Sequence, residues 1–309
     1  MDLRRLHLLF ELSRLGSMRA VADTHGLTTS TVSQQIAALA REVDAALIEP
    51  DGRRVRLTPT GLRLADHAVT ILAAVDAARL DLDPDAEPAG ILRTGGFATA
   101  IRRSLLPVVA DLGTSHPNVH VAINEFEPLE AFELLANDDL DLVLTYDYNL
   151  APASPASTLA TVPLWTTPWG LGVPAAGTPA DAPANFGVAD LAAWRDHTWI
   201  VNSRNTADED AVRTLASLGG FTPRISHRID SLDLVEDLIA AGHGIGLLPR
   251  PRKTRKGVRV LELTDPPVLL TAYAVTRLGR ENWSPLRLLL DRLVARHNDA
   301  SVHADWSGD

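Results

Sequence analysis

The chain has 309 residues, a formal net charge of −10, 46% hydrophobic and 22% charged residues, and no cysteine. That length exceeds one compact core and predicts two or three domains. The missing cysteine removes disulfides, thiolate nucleophiles and cysteine-based metal sites together. An acidic chain is repelled by nucleic acid unless its charge is unevenly spread. Here it is uneven: residues 1–63 hold nine arginines against seven acids, net +2, which leaves −12 for the rest. The opening "MDLRRLHLLFELSRLG" begins like a signal peptide, but charges interrupt it and no cleavage pattern follows. It reads instead as an amphipathic helix with Leu3, Leu6, Leu9, Phe10 and Leu15 on its inner face. No apolar run approaches the roughly 18 residues of a membrane span. A cytoplasmic protein with no membrane partner is expected.

Gly16 stops the first helix, and Ser17 is suited to cap a second in which Ala20 and Val21 pack inward. Gly26 supplies a tight turn, and Thr28 caps a third helix whose Val32, Ile36 and Leu39 face the core. That helix carries Thr29, Ser30, Ser33, Gln34 and Gln35 where an ordinary surface helix carries Glu and Lys. Hydroxyls and carboxamides both donate and accept hydrogen bonds, which is what reading base edges requires. "LIEPDGRRVRLT" follows, with an Asp-Gly turn between two extended segments, hence a hairpin. A hairpin bearing Arg53, Arg54 and Arg56 beside a helix-turn-helix makes a winged helix whose arginines reach phosphates or a narrow minor groove.

Thr58 and Pro59 start a long helix running to about Leu82. Leu64, Ala68, Ile71, Val75, Ala78 and Leu82 recur at heptad spacing, and Leu62, Ala65, Val69 and Leu72 form a second apolar stripe. Two apolar faces need two neighbours: the chain's own winged domain and the same helix of a partner copy, the alternative being a helix packed only within its own monomer. Self-association as a dimer or tetramer is therefore expected. "DLDPDAEPAG" ends the helix as an exposed connector.

After Gly90 strands and helices alternate. "ILRTGGF", "VHVAINEF" and "LDLVLTY" read as strands separated by two helices, a βαβαβ unit and so a parallel sheet. The loop "APASPAST" closes this lobe. A second lobe follows, from "TVPLWTTPWGLGVP" to "IGLLP", and a last strand and helix return to the first. Two crossings make a hinge, and the crevice at the strand ends is where such sheets take ligands.

"GSMRAVADTHGLTTSTVSQQIAAL" with the later "LTPTG" resembles the LysR-type transcriptional regulators. Gly16, Ser17, Ala20, Ala22, Ser30, Ser33, Gln35, Ile36, Leu39, Leu57, Thr58 and Gly61 carry the match. "AAGHGIGLLP" is close to a later turn of the same family. There are departures. The family's usual Leu-Phe-x-Arg is Leu47-Ile48-Glu49-Pro50 here, and Thr29 replaces a frequent Gln. The resemblance implies an α/β protein with an N-terminal all-α winged helix-turn-helix, joined by a long linker helix to a two-lobed effector domain similar to periplasmic binding proteins. The expected boundaries are 1–58 for the DNA-binding domain, 59–83 for the linker (dimerisation) helix and 84–90 for a connector. The effector-binding domain is expected over 91–300, with lobe 1 about 91–160 and 268–300 and lobe 2 about 161–267, and a tail over 301–309.

The function expected is a ligand-responsive regulator, not an enzyme, binding a palindromic site on double-stranded DNA. Its DNA-contacting residues are Thr28, Thr29, Ser30, Ser33, Gln34, Gln35, Arg53, Arg54 and Arg56. Helix N-termini facing the crevice suit a carboxylate, so a small, carboxylate-bearing effector is expected at Thr99, Ala100, Thr145, Asn202, Ser203, Asp230 and Ser231. A plain helix cap is the alternative role for Thr99 and Ser231. Arg102 and Arg204 are candidates to clamp an acid. No cofactor is expected, and the scattered histidines suggest no metal site. Two rival readings stay open, a constitutive DNA-binding protein and a DNA-binding domain fused to an enzyme. A pyridoxal-phosphate enzyme is disfavoured because Lys253 and Lys256 are the only lysines and lie in one basic loop, read as solvated.

Overall fold

The computed structural model describes residues 1–52, 54–82, 87–176, 185–204, 206–250 and 253–298. Helices α1 (Leu3–Leu15), α2 (Met18–His25) and α3 (Thr29–Glu42) are followed by the hairpin β1 (Ile48–Asp51) and β2 (Arg54–Leu57). Gly16 and Gly26 end the first two helices with φ of 67° and 63°, a conformation that favours glycine. The Ser17 hydroxyl accepts from the Ala20 N–H, and the Thr28 hydroxyl from that of Thr31. Val32, Ile36 and Leu39 are fully buried with Leu9, Val21 and Leu47 in one small core.

The Leu-Thr-x-x-Gly stretch has a physical reason. The Thr58 hydroxyl donates to the Ala46 carbonyl at 2.7 Å and accepts from the Gly61 N–H at 3.0 Å. This ties the base of the hairpin to the first turn of α4 (Pro59–Leu82). A Cβ on Gly61 would lie 2.1 Å from the Leu47 carbonyl oxygen, so no larger residue fits without backbone movement.

Helix α4 buries Ala65, Ala68, Val69 and Ala73. Ala68 and Val69 pack on Leu6 and Phe10 of α1. The two stripes read from the sequence are thus split: Leu62 and Leu82 are exposed, and the buried face combines members of both. The helix also docks on the chain's own C-terminal domain, a neighbour the heptad pattern did not reveal. Asp66 pairs with Arg277, Thr70 donates to the Leu278 carbonyl, and Asp76 accepts from the Ser284 N–H and hydroxyl at 3.1 and 2.8 Å.

The C-terminal domain begins with β3 (Gly90–Gly96), then α5 (Ala98–Ala100), which continues through a π turn into α6 (Leu106–Ser115). Next come β4 (Val119–Glu125), α7 (Pro128–Ala136), β5 (Leu142–Tyr148) and the long β6 (Leu159–Pro174). The second lobe adds β7 (Asn185–Gly187), α8 (Val188–Leu191), β8 (Thr198–Val201), α9 (Ala207–Leu218), β9 (Arg224–Arg228), α10 (Leu232–Ala240), β10 (Ile245–Pro249) and β11 (Val258–Asp265). β12 (Val268–Arg277) and α11 (Ser284–Asn298) return to the first lobe. Read as a loop joining two strands, the basic run 250–259 ends earlier than that: Val258 and Arg259 already belong to β11.

The described strands of this domain form one sheet, ordered β4-β3-β5-β12-β6-β10-β8-β9, with β11 and β7 branching from β6. β3 pairs in parallel with β4 and β5, as a βαβαβ unit must. β6 is the crossing strand. Up to Trp169 it pairs with β12; from Trp169 it also pairs with β10, and from Gly170 with β11. The crossing therefore falls at Trp169, later than the 161 read from the sequence.

Candidate nucleic-acid interface and interlobe cavity

Thr29, Ser30, Ser33 and Gln34 are all exposed, with Ser30 and Gln34 on the side of α3 opposite its buried residues. Among the described residues Ser33 and Gln34 make no side-chain hydrogen bond to protein, so their full capacity faces solvent. Thr28 is different. Its hydroxyl is occupied as the cap, 2.8 Å from the hydroxyls of both Ser30 and Thr31. Gln35 is also withdrawn: it is half-buried, and its Oε1 accepts from Arg5 Nε at 3.0 Å. The sequence had treated it as a base reader, but it faces α1. Ala37 and Arg41 continue the exposed row at helical spacing; stepping on by four from Ser33 would have found them.

In the wing, Arg56 pairs with Glu49 across the hairpin at 2.8 Å, so its charge is not free as expected. The backbone of Arg54 begins β2, opposite Asp51. Arg53 lies outside the described residues, as does the side chain of Arg54. Two described arginines of the basic run 250–259 are tied to acids of their own lobe. Arg250 pairs with Glu262, and Arg255 with Asp237.

Between the lobes lies a cavity of about 310 Å³. β6 supplies Trp165, Thr167 and Trp169 to its wall, alternate residues of one strand face. Of the effector residues expected, Thr99, Asn202, Asp230 and Ser231 line it and three do not. Ala100 is fully buried in the core of lobe 1. Thr145 is buried on the opposite face of β5, and its neighbour Tyr146 lines the cavity instead; successive strand residues point to opposite sides. Ser203 is exposed beside the cavity, and its N–H donates to Asp230 at 2.8 Å.

The charge of the cavity is the reverse of that expected. Glu125, Glu127, Asp208, Asp230 and Asp233 line it, against the exposed Arg102 as the one lining base among the described residues. Arg204 stands beside the mouth and joins the lobes, 2.8 Å from Asp230 and 3.4 Å from Glu130 of lobe 1. Burial pushes Asp230 upward, but hydrogen bonds from Ser203 and Arg204 outweigh it and hold the carboxyl below its ordinary value. Glu127 has no such base. Burial, then repulsion from Asp208 and Asp230, raise it to about 7. Burial likewise raises Asp208 to about 6. A carboxylate ligand, expected from helix N-termini alone, would meet these acids.

The histidine survey also missed one juxtaposition. His7, Glu11 and His25 bring potential metal-ligating atoms within 4.8 Å of one another. Glu11 is already paired with Arg14 at 2.6 Å, which satisfies its charge.

Comparison with known proteins agrees with this architecture. Residues 3–62 match the family described as bacterial regulatory helix-turn-helix protein, lysR family, and residues 85–298 match the LysR substrate binding domain. The chain is 26% identical to the transcriptional dual regulator GltC of Bacillus subtilis, over 81% of each chain. It is 28% identical to the HTH-type regulator IlvR of Caulobacter vibrioides, over 97% of this chain and 99% of that one. The fold superposes on a full-length OxyR of Pseudomonas aeruginosa with a TM-score of 0.69 at 18% identity, over 95% and 94% of the two chains. Full-length BenM gives 0.53 at 22%, over 95% of each. With its helix-turn-helix and its two-lobed domain both matched, the chain belongs to the LysR family of DNA-binding transcriptional regulators.

Proposed function

We propose that α3 enters the major groove of a palindromic promoter site, presented by a symmetric dimer or tetramer, and that the interlobe cavity senses a small metabolite. One observation carries the DNA reading. Thr29, Ser30, Ser33 and Gln34 form an exposed polar face on a helix whose opposite face is fixed in the core. The wing arginines Arg53 and Arg54 then hold the backbone or minor groove. Two winged domains related by a twofold axis would read two half-sites, so specificity multiplies. The apolar surface for pairing is on α4, where Ala78 and Leu82 are exposed.

Chromosomal DNA as the partner places the protein in the cytoplasm; no described helix is long and apolar enough to cross a membrane. We read the two-lobed domain as a sensor and not an enzyme. Among relatives, a group is described as hydrogen peroxide-inducible genes activators. A thiol sensor is not available here, because the 309 residues contain no cysteine. The test is sequencing of genomic fragments retained by the purified protein. Enrichment of promoters with an inverted repeat, lost on changing Ser33 and Gln34 to alanine, is the expected result. Retention without sequence preference would refute it and favour a constitutive DNA-organising role.

A further inference from the structure

The acids of the interlobe cavity are not all used by the fold. Arg204 neutralises Asp230 at the mouth. Deeper in, neither Glu127 nor Asp208 is ion-paired with a base among the described residues. Glu127 is 5% exposed and receives a long, 3.4 Å hydrogen bond from the Tyr146 hydroxyl. The Asp208 carboxyl takes hydrogen bonds from the Tyr148 hydroxyl and the Asn202 backbone, yet its Oδ1 is buried with no partner among the described residues. A second lining residue is also unsatisfied: Trp169 is 7% exposed, and its indole N–H has no acceptor among the described residues. Buried polar groups are nearly always partnered, so incompletely satisfied groups gathered around one cavity mark the place of something that binds there.

The wall also has an apolar part. Phe97, Tyr146, Trp165 and Trp169 present aromatic rings, with Phe97 edge-on to Tyr146 at 4.7 Å. Arg103 already stacks on Trp165 at 4.3 Å, while Phe97 and Trp169 carry no such cation among the described residues. A metal ion does not fit these acids. The one described trio of ligating groups close enough to share an ion is His7, Glu11 and His25, far from the cavity in sequence and domain. Carboxyls spread around a 310 Å³ space with aromatic faces between them suit a charge carried on a carbon frame.

We infer that the effector is a small organic amine, its ammonium group held by Glu127 and Asp208 and its carbon frame laid on Phe97 and Trp169. The assignment rests on the cavity being the effector site. The amine donates to the two carboxylates and cancels a charge that the protein otherwise leaves buried. An acceptor elsewhere on the frame takes the Trp169 N–H.

Thermal melts of the full-length protein test this with phenethylamine, putrescine, 2-phenylethanol and phenylacetate as probes. At ten times its Kd, an amine should raise Tm by roughly 3–6 °C. Phenylacetate and 2-phenylethanol should leave it unchanged. Asp208→Asn and Glu127→Gln should each weaken the amine at least tenfold; Trp169→Phe replaces either variant that fails to melt cooperatively. A shift from phenylacetate or 2-phenylethanol that Trp169→Phe abolishes would overturn the charge class while leaving the cavity as the sensor. An amine shift that survives all three substitutions would place the site elsewhere and overturn both readings. No shift from either amine at millimolar concentration would overturn the amine assignment.

Discussion

Replacing Glu127 by Gln should make the ligand-free protein more stable above neutral pH and leave it unchanged below about pH 4.5. The ordinary carboxyl value of 4.5 is raised to about 7 in the folded chain, first by burial and then by Asp208 and Asp230. Between those two values the folded protein keeps a proton that the unfolded chain has released. Stability therefore falls as pH rises through this window and levels off above it. At 1.36 kcal/mol per unit, the ionised carboxylate costs the folded state about 3 kcal/mol at pH 8. Gln has the same shape, its carbonyl can still accept from Tyr146, and it never ionises. The gain should be roughly 2–3 kcal/mol, or about 4–12 °C in Tm. Melts at half-unit steps from pH 4.5 to 8.5 measure it. The wild-type and variant curves should coincide in acid and diverge with rising pH. Parallel curves, or a variant less stable at pH 8, would show that Glu127 ionises without penalty and that the cavity carries no uncompensated charge there.

Four further outcomes separate roles within the chain. Ser33→Ala or Gln34→Ala should lower affinity for a selected promoter site by roughly 5- to 100-fold and leave random duplex binding unchanged in fluorescence anisotropy. Gln35→Ala should leave sequence preference intact and cost about 1 kcal/mol of stability in urea, because it strands a hydrogen bond from Arg5. Arg54→Ala should weaken all duplexes alike and reduce the slope of log affinity against log salt by about 1. Asp76→Ala removes the acceptor for both the N–H and the hydroxyl of Ser284 and should cost about 1–2 kcal/mol, read from a shifted urea midpoint.

Legibility followed the range of the interaction. Val32, Ile36 and Leu39 were readable because a helix repeats every 3.6 residues, and the glycine turns because positive φ selects glycine. Local caps such as Ser17 and Thr28 were legible for the same reason. The cavity was partly legible, since helix starts at strand ends placed Thr99, Asn202, Asp230 and Ser231. What failed required tertiary register. Thr145 and Tyr146 differ by one position and by the whole thickness of the sheet. Gln35 looks like its neighbour Gln34 until α1 is packed against it. The aromatic wall of β6 was visible as alternate Trp165, Thr167 and Trp169 but had no meaning until that strand was seen to cross both lobes. Charge was least legible, because Glu127 and Asp208 come from different lobes and are 81 positions apart in the chain.

The way α4 is fastened limits how a bound effector can act. Its polar ties, through Asp66, Thr70 and Asp76, all run to β12, the turn after it, and α11, which belong to lobe 1. That attachment is stiffened beneath. Arg277 reaches Asp138, Arg280 reaches Asp141, and Asp141 is held by two nitrogens of Arg93 at 2.8 and 3.0 Å. Breaking one member of a buried charged set strands the others, so this cluster resists deformation. Arg280 also stacks on Trp283 and approaches Phe10 of α1, which brings the DNA-binding domain into the same assembly. Lobe 2 is joined differently, by β6, by the link from β11 to β12, and by Arg204 across the mouth. Its Arg204 ties to lobe 1 are exposed and individually weak. On the proposed reading, a ligand touching both walls of the cavity would displace lobe 2 against a frame made of lobe 1, α4 and α1. Within one chain the reading helix stays with that frame. For the signal to reach DNA, lobe 2 must press on another copy of the chain, and self-association becomes a mechanical requirement of the proposed switch.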